Sequence, residues 1–333
     1  MKPNISLREI AEKANVSPAT VSRVMNKNGR YSKDTEERVL RIIEEYGYSP
    51  NQLARGLRLN RGQIVGIIVP DITNEFFSKL IQRIQNRLFE HDYPVVIYNT
   101  NESMATEKKC LKYLRAQSVS GVVYINGSRS VEGDMLKDIP TVYIDRRPED
   151  SPRPKTRFVS SDNEQGGYLA TREMLEQGSR RVAVITERYG TYVMNERLRG
   201  YERALREFGT EPDPRLIIKP RSISYEAAYA ATERLIREGT DFDALCCQTD
   251  WLASGAIDAL RKNGLAVPGR VRVTGFDDIS VSYLCYQPFT TVRQDFGAIG
   301  DYTADAIVDM ISGLGDSEYI KVFPVELIRR QTT

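Results

Sequence analysis

The segment SLREIAEKANVSPATVSRVMN, residues 6–26, contains two short helical patterns with a tight break between them. In the first pattern, Ser6 and Glu9 match the S-x-x-E capping box that marks the start of a helix. In the second, Ser17 can cap the helix, and Pro18 stands at the first helical position, where its missing N–H costs nothing. Two short helices joined by so short a break are typical of a helix-turn-helix unit.

A third helix is predicted after the loop NKNGR. Ser32 or Asp34 can open it, Gly47 can end it, and the apolar residues 39, 40, 42 and 43 form its apolar face. The second helix exposes short side chains and one arginine, a set suited to phosphates and base edges. These positions are Ala19, Thr20, Ser22, Arg23 and Asn26. The alternative is a three-helix bundle without a DNA role.

The charge is divided unevenly along the chain. The 333 residues carry a net charge of +2. Residues 1–62 contain 12 Lys and Arg against 7 Asp and Glu, a charge of +5, which leaves −3 for the rest. A basic N-terminal region before a mildly acidic remainder predicts that the N-terminal region binds a polyanion and that the remainder does not.

Composition excludes several classes of protein. The hydrophobic content of 41% is that of a globular protein, and no segment approaches the roughly 18 uninterrupted apolar residues of a membrane helix. The charged N-terminus lacks the apolar stretch of a signal peptide, so we predict a cytoplasmic protein, nucleoid-associated through DNA. Four cysteines without a CxxC and one histidine disfavour a zinc site or a disulfide framework. Cys246 and Cys247 are expected to be buried thiols.

After Gly62, short apolar runs alternate with amphipathic helical stretches, beginning with GQIVGIIVP and EFFSKLIQRIQNRLFEH. Such alternation predicts parallel sheets covered by helices on both faces, and two series of it predict two similar lobes. The predicted division is a helix-turn-helix domain over residues 1–50, a hinge helix or linker over 51–62 and a core over 63–333. Within the core, the first lobe takes residues 63–161 and 292–322, and the second takes 162–291 and 323–333.

The segment NQLARGLRLNRGQIVGIIVP, residues 51–70, places a basic stretch directly before the first core strand. Arg55, Arg58 and Arg61 flank Leu57. The stretch could form a helix of about two turns, which is marginal in water by itself. The alternative is an ordinary linker with Leu57 tucked into the core.

Short motifs along the chain occur in a characteristic order. VSPATVSRVMN, YSPN and ARGLR are followed by PDITNEFF, YIDR, DNEQGGYLA, RLRGY, QTD and GFDD. With this ordered set, the whole chain resembles the lactose-repressor/galactose-repressor family of bacterial transcription factors. The resemblance implies an α/β fold class: a small all-α helix-turn-helix domain and a hinge helix, then a two-lobed, periplasmic-binding-protein-like core of doubly wound parallel sheets.

The resemblance also implies the function. We expect a sequence-specific DNA-binding transcriptional regulator that represses carbohydrate-utilisation genes and is controlled by a small effector between the lobes. That effector would be a sugar, a sugar acid or a sugar phosphate. Whether it releases DNA or promotes binding is not implied.

The same resemblance implies the DNA contacts. Arg23 would reach a guanine, whose major-groove edge matches the donors of arginine. Pro18 and Ala19 would discriminate between operators, and Leu57 of a paired hinge helix would enter a central base step from the minor groove. Two half-sites imply a homodimer on a near-palindromic double-stranded operator. The implied DNA-binding residues are Ser17, Pro18, Ala19, Thr20, Ser22, Arg23, Asn26, Tyr31, Asn51, Ala54, Arg55, Leu57 and Arg58.

Candidate effector residues follow the strands of both lobes, where open α/β sheets bind ligands. They are Asp71, Asn74, Phe76, Phe77, Asp145, Arg146, Asp162, Thr191, Arg197, Thr249, Asp250, Trp251 and Asp277. Carboxylates and arginine can clamp hydroxyls or an anion, and an aromatic ring can face a sugar. Structural alternatives stay open: Phe77 in the core, Asp250 as a helix cap and Trp251 as a packing residue. Arg146 and Arg197 favour a polar effector, and acidic or phosphorylated compounds are among the candidates.

Three features depart from the family pattern. Thr249 stands where members often have asparagine, and Ser179 stands where they commonly have histidine. We expect Ser179 to be structural. The chain stops shortly after LIRRQTT, without the apolar heptad tail of tetrameric members, so a dimer is expected.

Two other classes of protein share some of these features. A solute-binding protein without a DNA role would share the two lobes, but the basic N-terminal module argues against this class. An enzyme is disfavoured because no GxGxxG follows a strand, no P-loop or GxSxG occurs, and one histidine leaves few general bases. We therefore predict no catalytic residue, no metal, no cofactor and no membrane partner.

Overall fold

The computed structural model describes residues 5–25, 28–48, 64–125, 133–145, 155–188, 191–314 and 319–333. The chain divides into two compact units, residues 1–63 and 64–333. The described part of the first unit is all-α, and the second unit contains two mixed α/β lobes.

The first unit contains three helices, α1 (Leu7–Lys13), α2 (Pro18–Met25) and α3 (Lys33–Tyr46). The predicted capping box is confirmed: the Ser6 hydroxyl accepts from the Glu9 N–H at 3.3 Å, and the Glu9 carboxylate accepts from the Ser6 N–H at 2.7 Å. These two bonds satisfy two N–H groups that the first helical turn leaves unpaired.

Helix α3 begins after a serine cap and ends at a glycine. The Ser32 hydroxyl accepts from the Thr35 N–H at 3.2 Å, so Ser32 rather than Asp34 is the cap, and Gly47 ends the helix with a φ of +61°. Val39 is fully buried, but the expectation for Leu40 was wrong, since its side chain is 46% exposed. The neighbouring residue of a helix points about 100° away, and this core is small. Its buried members are Ile5, Ile10, Ala11, Ala14, Val21, Val24 and Val39.

The first lobe of the second unit is built on a six-stranded sheet. Its strands are β1 (Val65–Val69), β2 (Val95–Asn99), β3 (Gly121–Ile125), β4 (Thr141–Ile144), β5 (Thr156–Ser161) and β11 (Ile320–Phe323). They lie in the order β11-β5-β4-β3-β1-β2, and all neighbours are parallel. The helices of this lobe are α4 (Glu75–Glu90), α5 (Met104–Ala116) and α11 (Phe296–Ser312).

The second lobe repeats this plan. Its strands are β6 (Val182–Ile185), β7 (Ile217–Ile218), β8 (Ala244–Cys247), β9 (Arg272–Asp277), β10 (Thr290–Gln294) and β12 (Val325–Ile328). They lie in the order β12-β10-β9-β8-β6-β7, parallel except for the antiparallel pair of β10 and β12. The helices are α6 (Asn163–Glu176), α7 (Tyr192–Glu207), α8 (Tyr225–Arg237), α9 (Asp250–Lys262) and α10 (Val281–Leu284). The predicted doubly wound architecture is confirmed, with one antiparallel edge.

The chain passes between the two sheets three times, after β5, after β10 and between β11 and β12. We expected the second passage at about residue 292, but β10 belongs to the second sheet as far as Gln294. That passage therefore lies slightly later than predicted. β11 ends at Phe323 and β12 begins at Val325, so the last passage lies between these two residues.

A short segment after β9 also joins the lobes. Ile279 is buried in the hydrophobic core of the first lobe, although it follows a strand of the second. Val281 packs against the cores of both lobes. The Ser280 N–H donates to the two carboxylate oxygens of Glu75, at 3.0 and 3.1 Å. The lobes are therefore held by apolar and polar contacts in addition to the three passages of the chain.

Helices α6 and α7 cross at two glycines. A Cβ atom on Gly200 would lie well inside 3 Å of the Glu164 carbonyl oxygen, and one on Gly167 would lie equally close to the Arg197 carbonyl oxygen. No side chain fits there because the obstacle is backbone on both sides. The crossing fixes the position of Arg197, which lies one turn before Gly200.

Gly200→Ala should therefore lower the free energy of unfolding by about 1–3 kcal/mol, the usual cost of overpacking. Urea unfolding of the full-length protein measures this change. Gly269→Ala is the matched control, because its Cβ atom would meet only the Ala266 Cβ atom, at 3.4 Å. Equal stabilities for the two variants would contradict the close helix crossing.

Candidate functional site

The first candidate surface is the exposed side of α2. Val21 and Val24 are buried, whereas Pro18, Ala19 and Arg23 are exposed. Ser22 is half-buried on the same side, and these residues line a shallow concavity together with Asn28 and Gly29. The helix thus presents two small apolar residues, a hydroxyl and an arginine on one side.

The loop after α2 supports the Arg23 side chain. The Asn28 N–H donates to the Arg23 carbonyl oxygen at 3.1 Å. Gly29 has a φ of +88°, and a Cβ atom there would lie 3.2 Å from Arg23 Cδ. Glycine at position 29 therefore serves both the turn and the packing of the arginine stem.

Ser17, Thr20 and Tyr31 lie at the edges of this surface. The Ser17 hydroxyl accepts from the Thr20 N–H at 3.1 Å and lies 2.9 Å from the Thr20 hydroxyl. Thr20 and Tyr31 are half-buried. Seven predicted site residues lie outside the described residues, and the predicted hinge helix lies there with them: Asn26, Asn51, Ala54, Arg55, Leu57, Arg58 and Arg146.

The second candidate site, the Arg197 network, lies at the carboxyl ends of the strands in the second unit. The Arg197 side chain is only 4% exposed. Its Nε donates to Asn163 Oδ1 at 2.8 Å, and its Nη1 donates to the Gln248 carbonyl oxygen at 2.5 Å. Its Nη2 lies 3.6 Å from Asp277 Oδ1, and the guanidinium stacks 3.5 Å from the centre of the Phe276 ring.

Asp145 brings the first lobe into this network. It follows β4 with a φ of +58°, and its Oδ1 accepts from the Ser160 hydroxyl at 3.0 Å. Asn163 donates to the same hydroxyl at 3.2 Å while it accepts from Arg197. Burial raises the pKa of Asp145, and the charge of Arg197 partly offsets this effect. Residues from both sheets therefore share one buried polar network.

Asp277 ends β9 with a φ of +111°, a conformation rare for a residue other than glycine. Its Oδ1 accepts from Gln294 Nε2 at 2.7 Å. Burial raises the pKa of Asp277 to about 7, and the charge of Arg197 opposes this effect. Burial also lowers the pKa of Arg197, whereas the neighbouring carboxylates raise it.

Asp250 is fully buried and does not cap α9. The cap is Thr249, whose hydroxyl accepts from the Leu252 N–H at 3.3 Å. The Asp250 carboxylate accepts instead from the Thr291 hydroxyl at 2.5 Å and from the Ile279 N–H at 2.8 Å. Burial raises the pKa of Asp250 well above its usual value, and the carboxylate of Asp277 adds to the effect. Asp250 thus ties β10 to the segment that enters the first lobe.

Several predicted effector residues have local structural contacts. Asp71 Oδ1 accepts from the Thr73 N–H at 2.9 Å. Phe76 is only 4% exposed within the first-lobe core, and Phe77 packs edge-on against it with ring centres 5.7 Å apart. The side chains of Asn74, Asp162 and Thr191 cap α4, α6 and α7 respectively. Trp251 is 38% exposed at the start of α9.

Sequence reasoning missed several members of the Arg197 network. Asn163 and Gln248 stand next to the predicted Asp162 and Thr249, and Gln294 ends β10. All three side chains are at most 2% exposed. A polar residue at the end of an apolar run was the only available signal, because Arg197, Thr186 and Asp277, to which these side chains bond, lie 17 to 62 positions away in the chain.

Two further observations apply to the described ranges. Among their helices, none is both long and apolar enough to cross a bilayer. In the same ranges, no group of three or more His, Cys, Asp or Glu side chains is placed to hold a metal ion. Cys246 and Cys247 are buried free thiols, as expected, and Ser179 is buried.

A helix-turn-helix unit followed by a two-lobed core with a polar network at its strand ends defines a ligand-responsive DNA-binding regulator. Comparison with known proteins agrees. Residues 6–51 match the model of the lacI family of bacterial regulatory proteins, and residues 171–333 match the periplasmic binding protein-like domain. The chain is 32% identical to the HTH-type transcriptional regulator RegA of Clostridium saccharobutylicum, over 98% of this chain and 99% of that protein. It belongs to the lacI family and is a transcriptional regulator rather than an enzyme.

Two solved structures share the fold over the whole chain. The transcriptional regulator CelR, solved as a cellobiose complex, is 30% identical with a TM-score of 0.75, and the match covers 99% of this chain and 100% of CelR. The Lac repressor dimer, solved with its operator and the anti-inducer ONPF, has a TM-score of 0.88 over 99% of both chains. At 24% identity, this second likeness shows the fold alone.

The buried Asp277 carboxyl should make stability depend on pH. Between about pH 4 and pH 7 the folded protein keeps a proton that the unfolded chain has released, so the contribution of Asp277 to stability falls as pH rises. Asp277→Asn removes this titration. The difference between the free energies of unfolding of the Asp277→Asn variant and of wild type should therefore rise with pH, by up to about 1.4 kcal/mol per pH unit. Urea titrations at pH 5 and 6 test this, and a difference that does not change with pH would contradict it.

Proposed function

We propose that this regulator is a homodimer that represses carbohydrate-utilisation genes from a near-palindromic operator, under the control of a small effector bound between its lobes. The observation that carries the proposal is the Arg197 network. In it, Asp145 of the first lobe is linked through Ser160 and Asn163 to Arg197, whose Nη2 lies 3.6 Å from Asp277 Oδ1 of the second lobe. A ligand at these strand ends would contact both lobes at once. Such a protein would act in the cytoplasm on nucleoid DNA.

The DNA half of the proposal rests on α2. A single module of this size buries little surface on DNA, so two copies on two half-sites are needed for specific affinity. Pro18 and Ala19 offer only apolar contacts to base edges, such as a thymine methyl, and Arg23 offers the donor pair that suits guanine. The segment of residues 51–62, with Leu57 as a minor-groove wedge, stays a prediction from the family resemblance.

The effector half rests on contacts between the lobes. Ser280 donates its N–H to Glu75, and Ile279 is buried in the first-lobe core. Both residues belong to the segment that Asp250 holds by accepting from the Ile279 N–H. A ligand that favours one lobe arrangement shifts the population of that arrangement and with it the affinity for DNA. A coupling of about 1–3 kcal/mol, roughly 5- to 150-fold in affinity, is sufficient.

Selection of duplexes from a random pool by the full-length protein, at stated salt, tests the proposal. We expect a palindrome with a central pyrimidine–purine step, the step that is most easily kinked. Titration of the recovered duplex with sugars, followed by fluorescence anisotropy, then measures the coupling. The contradicting result is a set of selected duplexes that share no consensus, whether or not sugars are present, and whose binding simply weakens as salt increases. That result would overturn the regulator mechanism.

Arg23→Ala should weaken binding to the recovered operator by about 1–3 kcal/mol, the value of one arginine–guanine contact. Binding to random duplex should change little. Arg41→Ala is the matched control, because it removes the same charge from an exposed site on α3. That variant should weaken operator and random duplex by the same small factor. Equal losses on both duplexes for Arg23→Ala would remove its role in base recognition.

A further inference from the structure

The concave surface of α2 offers few groups that can hydrogen-bond to a base. Pro18 and Ala19 are exposed but carry no side-chain donor or acceptor, and Ser22 carries one hydroxyl, which suits more than one base. Among the described α2 residues that line the concavity, Arg23 alone has a pair of donors in one plane. Further hydrogen-bonded recognition of bases at this surface therefore has to come from outside the helix.

The loop residue Asn28 lies on the same surface. It is exposed, and it lines the concavity together with Pro18, Ala19, Ser22 and Arg23. Its backbone N–H donates to the Arg23 carbonyl oxygen at 3.1 Å, which ties the loop to the end of α2. In the part of the chain that the structure describes, its side-chain amide makes no hydrogen bond. Both the donor and the acceptor of this amide are therefore available to a ligand.

Gly29 holds Asn28 close to Arg23. Its φ of +88° lies in the left-handed region, and a Cβ atom at this position would lie 3.2 Å from Arg23 Cδ. Glycine thus lets the chain turn directly after Asn28 while the stem of Arg23 packs against the turn. A backbone hydrogen bond and a side-chain contact together fix Asn28 relative to Arg23, and a side chain that selects one base needs such support.

The side-chain amide of asparagine matches one base in the major groove. Its NH2 group can donate to adenine N7, and its oxygen can accept from adenine N6. The backbones of Asn28 and Arg23 are one hydrogen bond of 3.1 Å apart, close to the rise of about 3.4 Å between successive base pairs. With Arg23 on a guanine, Asn28 therefore lies at a neighbouring base pair.

We infer that Asn28 is a specificity-determining residue that reads an adenine next to the guanine of Arg23 in each half-site. The loop after α2 then adds a second pair of hydrogen bonds to a concave surface on which the helix supplies only one. This inference rests on the proposed function and deepens it, since it adds a residue to the surface that selects the operator.

A contact with phosphate is the other role open to an exposed asparagine beside DNA. The position of Asn28 favours the base, because it shares the concavity with Pro18 and Ala19 and does not lie at the edge with Ser17 and Thr20. The two roles have different consequences. Loss of a base contact removes the preference at one position, whereas loss of a phosphate contact weakens every duplex alike.

Parallel selections from a random duplex pool, with full-length wild type and with Asn28→Ala, test the inference. Wild type should recover an adenine beside the guanine that Arg23→Ala no longer selects, and Asn28→Ala should lose the adenine and keep the guanine. In competition binding, replacement of this A·T pair should weaken wild type at least about fivefold and the variant less than about twofold. Identical recovered sequences for wild type and Asn28→Ala would overturn the inference.

Asn86→Ala is the matched control, because it truncates an exposed asparagine on α4, outside the first unit. This variant should recover the wild-type sequence. The same loss of adenine from the Asn86 variant would contradict a specific role of Asn28.

Asn28→Asp provides a second test that keeps the size of the side chain, and thermal unfolding verifies that the variant retains the fold. A carboxylate can accept from cytosine N4 but cannot donate to adenine N7. The preferred base at this one position should therefore change from adenine to cytosine. Uniform weakening on all duplexes, with no change in the recovered sequence, would assign Asn28 to a phosphate and overturn the inference.

Failure of the inference and failure of the proposed function give different results. A wild-type palindrome whose sequence does not depend on residue 28 leaves the proposed function standing and overturns the inference. The absence of any consensus from wild type, with and without sugars, contradicts the proposed function and the inference with it.

Discussion

A buried guanidinium constrains the whole second unit. Removing the charge of Arg197 from water costs several kcal/mol unless partners replace the lost solvation. These partners are Asn163 at the start of α6, the carbonyl of Gln248 after β8, and Asp277 at the end of β9. Because they come from separate elements, the position of one charge fixes several strand ends relative to each other.

Backbone packing places that charge. Gly167 and Gly200 let α6 and α7 approach so closely that backbone meets backbone, one turn away from Arg197. The arginine is therefore carried by a rigid pair of helices and not by a loop. Its neighbours Asp145 and Asp277 both have positive φ values, which is the kind of local strain that clusters at functional sites.

The same network connects the strand ends to the contacts that join the two lobes. Asp250 is held under the network by Thr291 and by the N–H of Ile279, and Ile279 itself is buried in the first lobe. Asp250 is thus one hydrogen bond away from Ile279, and Asp277 stands in the same short segment of the chain as Ile279. A change at either aspartate can therefore reach the contacts that join the lobes. Packed interfaces change between discrete arrangements rather than continuously, so contacts of this kind suit the effector control that we propose.

The sequence by itself determined the features that depend on near neighbours. Ser6 with Glu9, and Ser32 with Thr35, set helix starts through bonds across three residues, and the alternation of apolar runs predicted both parallel sheets. The ordered motifs indicated the family. Only the tertiary structure decided that Leu40 faces solvent and that Thr249, not Asp250, caps α9. It also decided that Gln248 and Gln294 belong to the Arg197 network. The partners of these residues lie 17 to 62 positions away in the chain. Burial and charge balance arise only when such distant segments pack together, and no local pattern records them.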